Sequence, residues 1–81
     1  MELKDTVEMM LSEDYKERFK AEYYQVKIRF EKLEAMIKKY DESILNFTDP
    51  FPIELLRQQA DYMNNYKVIL EQRASYEGIT L

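Results

Sequence analysis

The sequence predicts an all-α fold: a short N-terminal helix followed by a long antiparallel helical hairpin that assembles into a homo-oligomer. Three observations carry this reading. One Gly and two Pro are the only strong helix breakers in 81 residues, and both prolines fall in Asp49-Pro50-Phe51-Pro52, so helices lie on either side of that point. Apolar residues recur by threes and fours, placing Phe19, Tyr23, Val26, Phe30, Leu33, Ile37 and Tyr40 within one narrow arc of a helical wheel. A second apolar set, Ala21, Tyr24, Ile28 and Ala35, lies on the reverse face. One helix packed on one partner leaves that set wet, so a second chain or a bound ligand is its economical cover.

The elements follow in chain order within a single domain, 1–81. Asp5-Thr6-Val7-Glu8 has capping-box character and opens a brief helix over about 5–11. Ser12 is placed to cap the long helix, 13–41, with Glu13 and Asp14 against its positive N-terminal end and Lys38 and Lys39 near its C-terminal end. Residues 43–51 form the loop, where Ile44, Leu45, Phe47 and Phe51 cover the open end of the hairpin. Pro52 suits the first turn of the last helix, 52–76, and Gly78 its left-handed close, with Ile79 folding back as in a Schellman cap. Leu55, Leu56, Tyr62, Met63, Tyr66, Ile69, Leu70 and Ala74 give this helix an apolar face about half a wheel wide, again more than one partner helix covers. Gln59 and Arg73 fall among them. A buried guanidinium without a partner is too costly, so Arg73 must meet a carboxylate, a carbonyl or an anionic ligand.

Composition narrows the function. A chain of this length buries only roughly 60% of its unfolded surface, so a small core needs further support, and assembly is the remedy left when there is no Cys or His. The same absence removes disulfides, the usual zinc sites and the Cys and His nucleophiles. No glycine-rich phosphate loop or metal-ligand cluster is visible, so no catalysis and no cofactor are expected. A formal charge of −4 argues against binding duplex nucleic acid, whose affinity comes from a basic footprint. The start, MELKDTVEMM, has no signal-peptide core and no apolar run spans a membrane, so a cytoplasmic protein is expected. Glu17, Glu22, Glu31 and Glu34 alternate with Lys and Arg at helical spacing, as on a solvated surface.

One polar constellation remains. Arg18, Gln25, Arg29 and Lys32 line a flank of the long helix between its two apolar stripes. With Gln59, Tyr62, Tyr66 and Arg73 of the facing helix, and Tyr24 beside them, they supply what a nucleotide needs: guanidinium forks for phosphate, amide edges for a base, aromatic faces for stacking. The bland alternative is that the arginines pair with carboxylates and the tyrosines pack at a protein interface. Seven Tyr and four Phe in so short a chain suit either reading.

The run from Ser12 to Leu33, SEDYKERFKAEYYQVKIRFEKL, with Pro52-Ile53-Glu54-Leu55-Leu56 and Glu71-Gln72-Arg73-Ala74 further on, resembles a family of short helical proteins of Firmicutes phages and prophages known as crAss-phage-related. That family label implies no activity. In layout the chain also resembles the phage anti-defence sponges that counter CBASS and Thoeris: Glu17-Arg18-Phe19 enters a long helix, a Pro-containing loop follows, and Arg73 stands near the end of the returning helix. The resemblance implies a homo-oligomer holding a cyclic or ADP-ribose-type immune nucleotide at a subunit interface. Two other readings stay open, an acidic module that inhibits a host defence protein by direct binding and a phage assembly accessory.

Overall fold

The computed structural model describes residues 1–42 and 52–81; the loop expected at 43–51, with its four apolar side chains, lies outside the described residues. The fold is all-α, with no strand among the described residues. A 3-10 turn, Leu3–Thr6, leads into the one-turn helix α1, Val7–Met10, followed by α2, Tyr15–Asp41, and α3, Ile53–Glu77. No helix among these residues is long and apolar enough to cross a membrane.

Local chemistry sets each boundary. The N-terminal turn begins earlier than the sequence suggests, because Asp5 serves as the third residue of a turn opened by Glu2: its carboxylate accepts from the Glu2 backbone N–H at 2.7 Å. The cap of α2 shifts from Ser12 to Asp14, whose Oδ1 accepts from the Lys16 backbone N–H at 2.9 Å. Ser12 instead accepts from the Asp14 backbone N–H at 3.0 Å and fixes the entry to the helix. Pro52 stands just before α3 as its cap residue. At the far end Gly78 takes φ 68°, and the Ile79 N–H donates to the Ala74 carbonyl at 2.9 Å, the six-to-one bond of a Schellman close. That bond turns Ile79 inward, where it is buried.

Helices α2 and α3 run in opposite directions, since Tyr15 meets Glu77, Tyr23 meets Glu71 and Asp41 meets Arg57. Their shared core is Phe19, Tyr23 and Val26 against Leu70, Ala74 and Ile79. The first half of the reverse face of α2 is covered as well, although Ala35, further along it, is exposed. Ala21 and Ile28 are buried within the single chain, and the elements that pack on α2 besides α3 are the 3-10 turn and α1. Buried Thr6 anchors that cover: its hydroxyl donates to the Leu3 carbonyl at 2.7 Å and accepts from the Gln25 amide at 3.0 Å. The expectation that Ala21 and Ile28 need a second chain is therefore corrected, because the first ten residues do this work.

The face of α3, read from the sequence as broader than one partner helix covers, is only partly buried. Only Ala60, Leu70 and Ala74 are buried, while Leu55, Tyr62, Tyr66 and Ile69 are exposed. Gln59 and Arg73 are exposed too. The half-wheel read from sequence is two strips: a narrow one, in which Leu70 stands between Ala60 and Ala74, lies against α2, and a wider one faces away.

Candidate ligand-binding site

The flank of α2 between its two buried faces carries Arg18, Glu22, Gln25 and Arg29, spaced four, three and four residues apart. Arg18 is exposed and donates to the Ser12 carbonyl at 2.8 Å. Gln25 is half-buried, and its amide is taken up by Thr6 at 3.0 Å and by the Met10 sulfur at 3.7 Å. Arg29 and Lys32 are exposed and make no ion pair among the described residues.

An edge of α3 closes onto this flank. The Tyr66 hydroxyl donates to a Glu22 carboxylate oxygen. One turn from the helix end, Arg73 donates through Nε to Glu77 at 3.2 Å and through Nη2 to the Tyr15 hydroxyl at 3.0 Å. Tyr15 in turn donates to the other Glu77 oxygen at 2.7 Å, closing a triangle. The guanidinium carbon lies 5.0 Å from the centre of the Phe19 ring, a cation–π contact with the lip of the core. Arg73 thus meets the carboxylate its cost demanded, but at the surface.

The electrostatics of this edge are coupled. The hydrogen bond to Glu22, aided by burial, pushes the Tyr66 hydroxyl pKa up, and the Arg73 charge pulls it the other way. Tyr15 is raised first by its bond to Glu77, then by burial. For Arg73 burial favours losing the proton, yet Tyr15 and Glu77 together outweigh it and hold the pKa above the usual guanidinium value. All three groups keep their protons at neutral pH. The edge offers one fixed cation and two phenol groups, with carboxylates as their present partners.

Beside it, on the outer side of α3, a shallow hollow of about 380 Å³ is lined by Leu55, Gln58, Gln59, Tyr62, Met63 and Tyr66. Aromatic and aliphatic walls carry two amides at the rim. A larger hollow of about 720 Å³ lies between α2 and α3 near Asp41. Its wall includes Glu31, Glu34, Asp41, Glu42 and Asp61 against Lys38 and Arg57, and Arg57 is committed to Asp41 at 3.1 Å. That acidic wall repels phosphate, so the smaller hollow is the better candidate for an anion. Among the described residues no group of three or more His, Cys, Asp or Glu is placed to hold a metal ion.

The sequence-derived set divides accordingly. Tyr66 and Gln59 share the hollow, Tyr66 and Arg73 share the edge, and Arg18 and Arg29 lie along the same helix flank as Glu22. Gln25 is drawn off to the N-terminal turn. Tyr24 packs against the core, with its ring edge-on to Tyr23 at 5.2 Å and the Lys27 ammonium 5.9 Å from its centre. Sequence reasoning missed Tyr15, Glu22 and Glu77 as partners and Gln58 as a wall, whereas Tyr62, which lines the hollow, belongs to the expected set. Tyr15 and Glu22 meet their partners across 62 and 44 positions and leave no local signal, whereas Glu77 follows Arg73 by four residues on one helix. Tyr62 stands seven residues after Leu55 and seven before Ile69, a spacing visible in the sequence.

Comparison with known proteins settles the family. The model of the Sequestin family matches residues 13–76. The chain belongs to the Sequestin family. No curated protein and no solved structure matches it. The Sequestin match takes in α2, nearly all of α3, the flank bearing Arg18 and Arg29, and the hollow. The 3-10 turn and α1 fall outside it, as do Gly78 and Ile79, which close the end of the core.

Proposed function

We propose that this Sequestin-family protein is a phage-encoded, non-enzymatic anti-defence factor, a helical hairpin that assembles with itself and sequesters a cyclic or ADP-ribose-type immune nucleotide at a subunit interface in the host cytoplasm. The family name, which speaks of sequestering, agrees with a function by binding. The observation that carries the reading is the α3 edge, where Tyr66 walls a hollow of tyrosines and glutamines and the Arg73 guanidinium stands two turns further along the same helix.

The chemistry is exchange of partners. A phosphate arriving at the edge takes over the donors now given to Glu77 and Glu22, with Arg18 and Arg29 of the α2 flank adding guanidinium forks. Tyr66 offers a stacking face, and Gln59 an amide that reads a base edge. Tyr24 and Gln25, engaged with the core and with Thr6, support the flank from behind. Mass action then suffices: a site that binds the signal tightly holds its free concentration below the threshold of its receptor, and nothing need be cleaved.

Native mass spectrometry of the purified protein with cyclic nucleotides and ADP-ribose derivatives tests this. The expected result is an oligomer carrying nucleotide at fixed stoichiometry. Each charged hydrogen bond to phosphate is worth about 1.5–3 kcal/mol, so Arg73→Ala or Arg29→Ala should weaken binding by about tenfold or more while leaving the helical circular dichroism unchanged. If both variants bind as the parent does, the site assignment is wrong. A parent that ignores every nucleotide removes the sequestering reading and leaves direct inhibition of a host protein.

A further inference from the structure

We infer that the outer face of α3 is the surface on which a second copy of this chain docks, helix against helix. The inference rests on the homo-oligomer reading above and assigns its interface to α3, away from the reverse face of α2.

The register comes first. Leu55, Tyr62, Ile69 and Tyr76 recur every seven residues, and Gln59, Tyr66 and Arg73 fall between them, so the outer strip steps by four and three along the whole helix. This is the spacing of a helix that meets another helix along a seam, with knobs entering holes of the same period. These side chains are also wet: Leu55 is 61% exposed, Tyr62 66%, Ile69 54% and Tyr76 95%. Nothing within the described chain covers them, in contrast to the equally apolar reverse face of α2. The polar members suit an interface as well, since Tyr and Arg are the residues enriched there.

Charge and area favour a second copy as the occupant. The chain carries a formal charge of −4, so two copies meeting at random surfaces repel. Along this seam the flanking positions are Gln58, Asn65 and Gln72, neutral amides that let identical faces approach and bond across the rim. With roughly 200 Å² for a full Tyr-sized side chain, the exposed heptad residues at the values above, with half-exposed Tyr66, offer on the order of 600 Å² per chain. A standard interface takes about 800 Å² from each partner, and the amides and Arg73 supply the remainder. The seam also contains Gln59, Tyr62 and Tyr66 of the hollow, so pairing places the candidate nucleotide contacts at a subunit boundary.

Sedimentation velocity over a range of protein concentrations, on the full-length chain, tests the seam with two variants. The parent should sediment at twice the mass of one chain or an even multiple of it. Tyr62→Lys with Ile69→Lys should reduce this to a single chain with unchanged helical circular dichroism, because both residues are exposed. Ile28→Ala, on the reverse face of α2, should keep the parent's mass. A parent that stays monomeric at high concentration, or a lysine variant that keeps the parent's mass, overturns the proposal. Nucleotide titration of the same samples separates the two ideas: a parent that pairs through α3 yet binds no nucleotide leaves the seam standing and removes the sequestering function.

Discussion

Helices α2 and α3 are almost equal in length, yet the chain treats them in opposite ways. α2 buries residues on two opposed faces, Phe19, Tyr23, Val26 and Ile37 on one and Ala21 and Ile28 on the other, and the same chain covers both. α3 buries only Ala60, Leu70 and Ala74 and turns large apolar side chains outward. The charges follow: Lys and Glu crowd the rest of α2, whereas between Gln58 and Tyr66 the one charged residue of α3 is Asp61. A helix with two apolar faces can thus be complete inside a monomer. One with a single broad face can be half finished, because width counts less than whether cover lies within reach of the chain.

The sharpest way to break this comparison is to cut into each helix in turn. Phe19 is 2% exposed, so Phe19→Ala should cost about 3–5 kcal/mol in urea unfolding. Tyr62→Ala, measured where the chain is monomeric, should stay within about 0.5 kcal/mol. Similar losses for both would mean that α3 is covered on its outer side by this same chain.

A smaller effect tests the second cover of α2. Thr6→Val keeps the shape but removes the buried hydroxyl that binds Leu3 and Gln25, taking one partner each from a half-buried carbonyl and a half-buried amide. The expected cost is about 1–3 kcal/mol, with faster amide exchange in residues 3–10 and little change in Leu70. Uniform exchange across the chain would show that the N-terminal turn is not a separate layer.

Smaller still is the close of α3. No heavy atom stands within 4 Å of the position a side chain would occupy at Gly78, so the strain in Gly78→Ala is that of the left-handed backbone alone, about 1 kcal/mol. A thermal melt indistinguishable from the parent would show that the Ile79 contact does not depend on that turn.

The mildest test is alkaline pH. Tyr23 is pushed well above its ordinary value by burial first and by its bond to Glu71 second, and Tyr66 and Tyr15 are raised chiefly by Glu22 and Glu77. The folded chain then holds protons that the unfolded chain gives up near the ordinary tyrosine value of 10.0. Stability from these groups is present below that pH and declines as pH rises beyond it. Ultraviolet titration should show tyrosines ionising late and together with unfolding. Seven tyrosines titrating alike at the ordinary value would contradict the α2–α3 ties.

Much of this was legible in the sequence for a stated reason. The prolines, Gly78 and the three-four spacing act locally, so the helices and the Schellman close could be read directly. Periodicity reports that a face is apolar and not what lies on it. Hence Ala21 and Ile28 pointed to a partner that proved to be the chain's own N-terminal turn, while Leu55, Tyr62 and Ile69, on a face read as too broad for one partner helix, are exposed. The site divided in the same way. Arg18 and Arg29 share a flank because helix geometry demands it, but the Arg73–Tyr15–Glu77 triangle required the returning helix to fix its register.

The separation of the two covers also orders the chain in time. The reverse face of α2 closes on residues that precede it, as Gln25 reaches Thr6 across 19 positions, while the first part of its main face waits for partners 48 or more positions further on, as with Tyr23 and Glu71. As the chain leaves the ribosome, the N-terminal turn can therefore settle on α2 early, whereas Phe19 and Tyr23 stay uncovered until Leu70 and Ala74 have been made. The most aromatic surface of the molecule is the last to be shielded, and during synthesis it is the surface most open to capture by a chaperone or by another unfinished copy.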